Sequence, residues 1–335
     1  MSLAPILLMG GSGSIGRQAA RAIHALYPDI PLLVGGRDLT KAQSAAAEMG
    51  PAQGVALDTA SADLGLGDQK VSAVVVLYKD PALAGLRFAQ SRGIPHLSIS
   101  SGIFEIAPEI ASFMHAPGAS AIVLGYEWLV GATTVPALHL AKSFSEVYEI
   151  RIGALVDEKD TGGPAVAADF EHLNHLLPEA LTLRDGIWLW REGDDAKAVF
   201  SALDGTEINA TGFSSIDVTG LAVATGAHSV QFDLGQGVSS SRRKGDALST
   251  EIILDISGLD HSGQTLRTRH AVVHPGGAAP LTGMGIALLL ERLVGLDGES
   301  PVAPGLYFPY QILDASRYLA RLAQEGGEVV ELFSS

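Results

Sequence analysis

The stretch Ile6-Leu-Leu-Met-Gly-Gly-Ser-Gly-Ser-Ile-Gly16 decides how the first half of the chain is interpreted. The apolar run Ala4–Met9 is typical of a parallel strand that is buried on both faces. It leads into Gly11-x-Gly13-x-x-Gly16, the glycine spacing of dinucleotide-binding turns. The following segment, 17–27, carries apolar residues at helical spacing and ends at Pro28. Strand, turn and helix thus follow in the order of a dinucleotide-binding βαβ unit.

Each glycine of this turn has a physical reason. Gly11 permits a tight turn, Gly13 lets the backbone approach a pyrophosphate, and Gly16 lets the helix pack closely on the strand. The helix N-terminus offers N–H groups and a positive dipole end to phosphates, and neighbouring hydroxyls can add donors. The residues predicted to bind the cofactor here are Gly11, Ser12, Gly13, Ser14, Ile15 and Gly16.

The end of the second predicted strand indicates which cofactor is bound. An NAD site usually has an acidic residue there, which bonds to the ribose 2′-hydroxyl. This chain reads Val34-Gly-Gly-Arg-Asp38, and Lys41 follows one helical turn later. Arg can hold a 2′-phosphate with a planar fork of donors, so NADP is favoured and NAD is the alternative. The predicted residues are Gly36, Arg37, Asp38 and Lys41; the other interpretation is that Arg37 is solvated and pairs with Asp38.

The alternation of apolar strands and helices continues through the first 130 residues. Strands are predicted at 4–9, 31–35, 54–58, 71–77, 94–99 and 121–124, with helical crossovers. Six such strands form a doubly wound parallel sheet, a Rossmann domain of the α/β class. Ligands of such sheets lie outside the carboxyl ends of the strands.

Several polar residues follow these strand ends. Asp58 could accept from the adenine amino group, although a simple helix-capping role is equally consistent with its position. Tyr78 and Lys79 follow the fourth strand and are expected to border the cofactor cleft. Ser98, Ser100 and Ser101 border it after the fifth strand, and Ser100 is included among the cofactor-binding residues.

Composition excludes several classes of function. The 335 residues carry a formal net charge of −15, which disfavours nucleic acid and anionic membranes as partners. The chain has no cysteine, so disulfides, thiolate metal sites and a cysteine nucleophile are excluded. No N-terminal stretch resembles a secretory signal, and we expect a cytoplasmic protein.

By its motifs the chain resembles the saccharopine dehydrogenase-like family of NAD(P)-dependent oxidoreductases. The resemblance rests on 6–17 and 33–38, together with His274-Pro-Gly-Gly277 and 304–309. It implies a Rossmann domain, 1–130, followed by a substrate and dimerisation domain, 131–277. It also implies that the C-terminal helices, about 278–335, return to the first domain and that the protein is a homodimer. Members act on C–N bonds of secondary amines, including amino-acid conjugates.

The second half has a different pattern. Strands predicted at 147–156, 182–190, 207–213, 226–234, 251–258 and 265–273 indicate a mixed, largely antiparallel sheet, and helices are predicted at 281–294 and 315–323. The segment 235–245 is interpreted as a solvated hairpin tip, with a mobile lid or an anion-binding loop as alternatives. Asp169, His172 and His175 are assigned to the polar face of an amphipathic helix, and no metal site is expected.

The sequence therefore predicts an NADP-dependent dehydrogenase or reductase that acts on a small, amino-acid-derived substrate. An imine must be protonated before it accepts hydride, and Lys79 is the first choice of donor, followed by Tyr78 and Glu127. The alternative is a non-catalytic NADP(H)-binding sensor or scaffold, whose glycine turn would be identical.

Overall fold

The structure of the chain is a computed structural model that describes residues 3–99, 106–161 and 179–332. It divides into two compact units, each of which is built from two separate parts of the chain. The first contains Met1–Tyr126 and Thr282–Leu313, and the second contains Glu127–Leu281 and Asp314–Ser335. In the described residues, no helix combines the length and the apolar character needed to cross a membrane.

The first unit contains a parallel sheet with the Rossmann strand order. Its strands are β1 (Ile6–Met9), β2 (Leu32–Gly36), β3 (Ala52–Ala56), β4 (Ala73–Val76), β5 (His96–Ser98), β6 (Ala121–Leu124) and β15 (Gly305–Tyr307). They are ordered β15-β6-β5-β4-β1-β2-β3, and every pairing is parallel. All four residues of β1 have 0% exposure, which explains why the central strand is uniformly apolar. The predicted doubly wound sheet is confirmed.

The helices of the first unit are α1 (Ser14–Leu26), α2 (Leu39–Ala46), α3 (Ala84–Arg92), α4 (Ala107–His115) and the short α9 (Pro309–Ile312). The expectation of a helix at every crossover is wrong between β3 and β4. Turns fill this connection instead, and Asp63 holds them by accepting from the backbone N–H groups of Gly65 and Gly67, at 2.9 and 3.2 Å. A carboxylate that bonds its own backbone in this way competes with helix formation.

The second unit contains a nine-stranded mixed sheet. Its strands are β7 (Phe144–Asp157), β8 (Ala180–Arg184), β9 (Ile187–Arg191), β10 (Lys197–Ser201), β11 (Glu207–Gly212), β12 (Ser229–Gly237), β13 (Ser249–Asp260), β14 (Thr265–Pro275) and β16 (Glu328–Glu331). The main path is β10-β11-β12-β7-β13-β14-β16, and β8 joins it through β12. Among the described strands of this second sheet, only β12 and β7 pair in parallel. The largely antiparallel character is therefore confirmed.

The helices of this unit are α5 (Thr134–Ala141), α6 (Ile216–Thr225), α7 (Ser240–Arg243) and α10 (Ala315–Gln324), while α8 (Ala278–Leu293) runs across the division between the units. α6 and α10 both contact α5, and α6 also packs on β12. The sequence predicted neither α6 nor β16. The helix assigned to Asp169, His172 and His175 lies outside the described residues.

Two predictions for the second unit are corrected. The single strand at 182–190 is a hairpin, β8–β9, because Asp185 and Gly186 both adopt positive φ, 52° and 80°, and reverse the chain. The segment 235–245 is not a hairpin tip, since β7 lies between β12 and β13 in the sheet. It is a crossover.

Ion pairs and a buried backbone hydrogen bond anchor this crossover. The Ser239 N–H donates to Asp157 at 2.8 Å, and the Arg243 guanidinium pairs with Asp204 at 2.6 Å. Arg242 pairs with Asp157 at 2.5 Å. The two arginines of the segment, Arg242 and Arg243, are thus engaged by neighbouring carboxylates, whereas Lys244 is exposed.

Candidate functional site

The turn after β1 is closed by backbone hydrogen bonds. Gly10 adopts φ +81°, and its N–H donates to the Gly35 carbonyl at 2.8 Å. The Gly11 N–H donates to Leu8 at 3.1 Å, and the Gly13 N–H donates to Gly10 at 3.0 Å. These bonds fix the direction in which the chain leaves β1 and enters α1.

The glycines of the turn fall into two kinds. A Cβ on Gly16 would lie 2.4 Å from the Gly11 carbonyl oxygen, and one on Gly11 would lie 2.9 Å from Leu8 Cβ. Packing within the protein therefore requires both. A Cβ on Gly13 would meet only the Gly10 oxygen, at 3.4 Å, and Gly13 is exposed. Its missing side chain leaves room for a group from outside, so the turn fits a bound pyrophosphate.

The N-terminus of α1 provides the complementary charge. Gly13 is its N-cap residue, and the first turn contains no acidic side chain. Ser12 and Ser14 flank this N-cap residue in the sequence; Ser14 is exposed and Ser12 is half-buried. The dipole of the helix favours an anion at this end.

At the end of β2, Arg37, Asp38 and Lys41 of the predicted 2′-phosphate site are exposed, and Gly36 is half-buried. The Asp38 carboxylate caps α2 by accepting from the Lys41 N–H at 3.1 Å, and the Lys41 ammonium lies 4.0 Å from it. No described residue hydrogen-bonds to or pairs with the Arg37 guanidinium, which is exposed. The alternative pairing of Arg37 with Asp38 is therefore not what the structure contains. A Cβ on Gly36 would meet no atom within 4 Å, so this position is open.

Tyr78 joins the end of β4 to the glycine turn. A Cβ on Gly10 would lie 2.8 Å from Tyr78 Cδ1, so the ring covers this glycine. Burial raises the pKa of Tyr78, Asp80 raises it further, and the positive charge of Arg37 partly offsets both. Tyr78 and Arg37 thus interact at the same edge of the sheet. Lys79, the next residue, is half-buried.

Asp58 lies two residues beyond the end of β3 and is exposed. Its carboxylate accepts from the Ala60 N–H at 3.0 Å, and its own N–H donates to Leu64 at 3.0 Å. It therefore caps a turn rather than a helix, which corrects one of its two predicted roles. Contact with adenine stays a prediction. Ser100 and Ser101 lie outside the described residues.

Beyond β5 and β6 lies a hydrogen-bonded cluster that the sequence did not predict. Ser98 Oγ lies 2.5 Å from Tyr126 Oη and 3.3 Å from Glu109 Oε1, and the Tyr126 hydroxyl donates to Glu109. Ser98 and Glu109 are buried, whereas Tyr126 is half-buried. The sequence signal for Tyr126 was its place two residues past a predicted strand. Glu109 lies on a helix, and its approach to Ser98 depends on tertiary structure.

Glu127 belongs to the second unit, unlike Tyr78 and Lys79. It is 3% exposed, and the Thr134 hydroxyl donates to its carboxylate. The three proposed proton donors therefore do not all lie in one compact unit.

Comparison with known proteins supports the fold. Neither a protein-family model nor a curated protein matches the sequence. The structure is similar to apo saccharopine dehydrogenase (L-Glu forming) from Saccharomyces cerevisiae, with TM-score 0.67 and 16% identity over 99% of this chain and 100% of that chain. It also matches a myo-inositol dehydrogenase from Corynebacterium glutamicum, with TM-score 0.49 and 13% identity over 100% of both chains.

The class that the fold and the glycine turn define is a two-unit protein with a Rossmann sheet and a second, mixed sheet. More particularly, the chain shares the fold of saccharopine dehydrogenase, as the resemblance in its motifs predicted. At 16% identity this likeness establishes the fold, and function must be argued from the site.

Proposed function

We propose that this protein is an NADP-dependent oxidoreductase that transfers hydride at the C–N bond of a small, amino-acid-like substrate. The observation that carries the proposal is the turn between β1 and α1. Its glycines at 11 and 16 are required by packing, whereas Gly13 is open to the outside at a helix N-terminus. A turn that served only to connect strand and helix would have no need of a glycine at position 13.

The residues of the first unit would hold the dinucleotide at several points. The N–H groups at the start of α1 and the hydroxyls of Ser12 and Ser14 would bind the pyrophosphate. Asp58 would accept from the adenine amino group, and Ser100 stays a sequence-level prediction. A bound nicotinamide supplies or accepts the hydride.

Preference for NADP is proposed from the exposed cations after β2. The guanidinium of Arg37 is exposed and has planar donors suited to a phosphate, and Lys41 adds a point charge. Gly36 leaves the approach open, and the Asp38 carboxylate is engaged at the start of α2. NAD has no 2′-phosphate, so it would not provide the group that these cations are placed to bind.

The choice of a C–N bond is supported by the motif resemblance and by the name of the structural neighbour, a saccharopine dehydrogenase. Reduction of an imine requires a proton at nitrogen, which Lys79 is the first candidate to donate, with Tyr78 and Glu127 as further candidates. We also propose that the first unit binds the cofactor, that the second contacts the substrate, and that the protein is a homodimer.

Turnover tests the proposal directly. NADPH consumption is followed with a panel of imines formed from amino acids and oxo acids, and NADH is tested in parallel. The proposal predicts substrate-dependent oxidation of NADPH by at least one imine. Tight NADPH binding without turnover of any imine or oxo acid would favour a non-catalytic sensor or scaffold instead.

A further inference from the structure

The cluster of Ser98, Glu109 and Tyr126 joins two strand ends of the Rossmann sheet. Ser98 is the last residue of β5, and Tyr126 follows β6 by two residues. Glu109 comes from the first turn of α4, where the helix dipole favours a carboxylate. All three belong to the first unit, at the carboxyl edge of its sheet, where ligands of this fold bind.

The position of Tyr126 is determined by its backbone and its ring. The Gly125 N–H donates to the Ser98 carbonyl at 2.8 Å, and a Cβ on Gly125 would lie 2.7 Å from that oxygen. Only a glycine allows this approach, which brings Tyr126 beside Ser98. The ring packs against a buried apolar cluster formed by Leu86, Ile122 and Leu124, so the hydroxyl is held in place.

The three side chains of this cluster differ in how deeply they are buried. Glu109 and Ser98 are 3% and 5% exposed, whereas Tyr126 is half-buried. The Tyr126 hydroxyl donates to the Glu109 carboxylate, so the more exposed phenol is hydrogen-bonded to the enclosed carboxylate. A proton that the Tyr126 oxygen accepts can therefore be matched by transfer of the Tyr126 proton to Glu109 along this hydrogen bond.

Oxidation at a C–N bond yields an imine, and release of a carbonyl product then requires the addition of water. Water needs a base for this step. A lysine that acts as a proton donor is charged and cannot accept a proton. If Lys79 is the donor, another group must therefore be the base that takes a proton from water. A carboxylate that accepts a hydrogen bond from a phenol is suited to act as this base, because the phenol can pass a proton to it.

We propose, resting on the function proposed above, that Tyr126 and Glu109 form a proton relay that serves as the base for this hydration. Water loses a proton to Tyr126 Oη as Tyr126 passes its own proton to the Glu109 carboxylate. The water oxygen forms a bond to the carbon of the protonated imine, and the C=N π pair becomes the lone pair of a neutral amine nitrogen. In the reductive direction the same transfers run backwards and water leaves. Tyr126 is the catalytic residue, and Ser98 orients it.

The test compares infrared difference spectra of the complexes with NADP+ and NADPH, from about pH 5 to about pH 10, in the full-length protein. The two cofactor forms differ at the nicotinamide ring, which is positively charged only when oxidised. At an effective dielectric constant of about 20, a unit charge within about 10 Å of a carboxyl group shifts the midpoint of its titration by on the order of one pH unit. We expect the titration of one carboxyl band to shift in this way between the NADP+ and NADPH complexes of the wild type. Glu109→Gln should remove this band, and Tyr126→Phe should alter it.

Tyr307→Phe is the matched control, since its hydroxyl donates to the Ala303 carbonyl at 3.1 Å within the first unit. This variant should leave the shift unchanged. Wild-type and Glu109→Gln proteins that bind both cofactor forms and give the same difference spectrum at every pH would overturn the relay. If Glu109→Gln does not fold, the Tyr126→Phe spectrum decides on the same criterion. Failure of the wild type to bind NADP(H) or NAD(H) would instead refute the proposed function.

Discussion

Gly16 lies directly against Gly11, so that a Cβ on Gly16 would come within 2.4 Å of the Gly11 carbonyl oxygen. The contact holds the first turn of α1 against the end of β1 and brings the helix N-terminus to the carboxyl edge of the sheet. Two glycines five residues apart thus determine where an anion can approach the backbone.

The two kinds of glycine predict different effects of the same substitution. Gly16→Ala should lower the free energy of unfolding by about 1–3 kcal/mol, because the backbone must move to relieve the contact. Gly13→Ala should cost at most about 1 kcal/mol, since the residue is exposed and its φ of −73° suits alanine.

Denaturant unfolding and NADPH titration of both variants check this prediction. Gly13→Ala should weaken NADPH binding by about tenfold or more, because its methyl group occupies the space left for the pyrophosphate. Unchanged affinity in the Gly13→Ala protein would contradict the assignment of this turn.

Arg37→Ala should weaken NADPH binding by about 10–100-fold, the loss expected for a charge-assisted contact to phosphate. NADH affinity should change by less than about threefold, because NADH has no 2′-phosphate. Titration of both cofactors checks this, with Arg87→Ala, an exposed arginine on α3, as the control. Equal losses for the two cofactors would show that Arg37 does not select NADP.

Lys79→Met should lower kcat by about 10²–10⁴-fold on an imine that the wild type reduces, because the donor of the proton is lost. The NADPH dissociation constant should stay within about threefold of the wild-type value. Steady-state kinetics and titration separate the two effects, and Lys70→Met, at an exposed lysine of the same unit, is the control. Intact turnover in the Lys79→Met protein would exclude Lys79 as the donor.

His96 predicts how stability depends on pH. Burial lowers the pKa of this imidazole to about 3, from 6.5. The unfolded chain therefore binds a proton between these values that the folded protein does not, so stability falls as the pH decreases from about 6.5 towards 3. This residue contributes about 1.4 kcal/mol per pH unit to that loss.

Urea unfolding of wild type and His96→Gln between about pH 4 and about pH 8 measures the effect. The difference in unfolding free energy between the two proteins should be constant above about pH 7 and should decrease at lower pH. A difference that is independent of pH would mean that His96 can be protonated in the folded state.

The first half of the fold could be predicted because its signals are local. Residues 4–9 form an apolar run, and the glycine spacing after it allows one backbone path, so β1, the turn and α1 follow from sequence alone. The strand order then follows from the doubly wound pattern. β15 was missed because it has only three residues and comes from a distant part of the chain.

The rest depended on tertiary contacts. The sequence 182–190 alternates like one strand, and only the positive φ values at Asp185 and Gly186 divide it into a hairpin. The segment 235–245 looked flexible because its glycines and serines carry no periodic signal, yet Asp157 at the end of β7 and Asp204 in the turn between β10 and β11 hold it in place. Glu109 was not recognised because its partners, Ser98 and Tyr126, lie 11 and 17 residues away.

The most direct measurement of the central claim is a calorimetric titration of the cofactor-free protein with NADPH and, separately, with NADH. The account predicts micromolar binding of NADPH at one site per chain and binding of NADH that is weaker by about tenfold or more. Absence of binding for both cofactors would contradict the account and would leave a Rossmann sheet whose glycine turn serves another ligand.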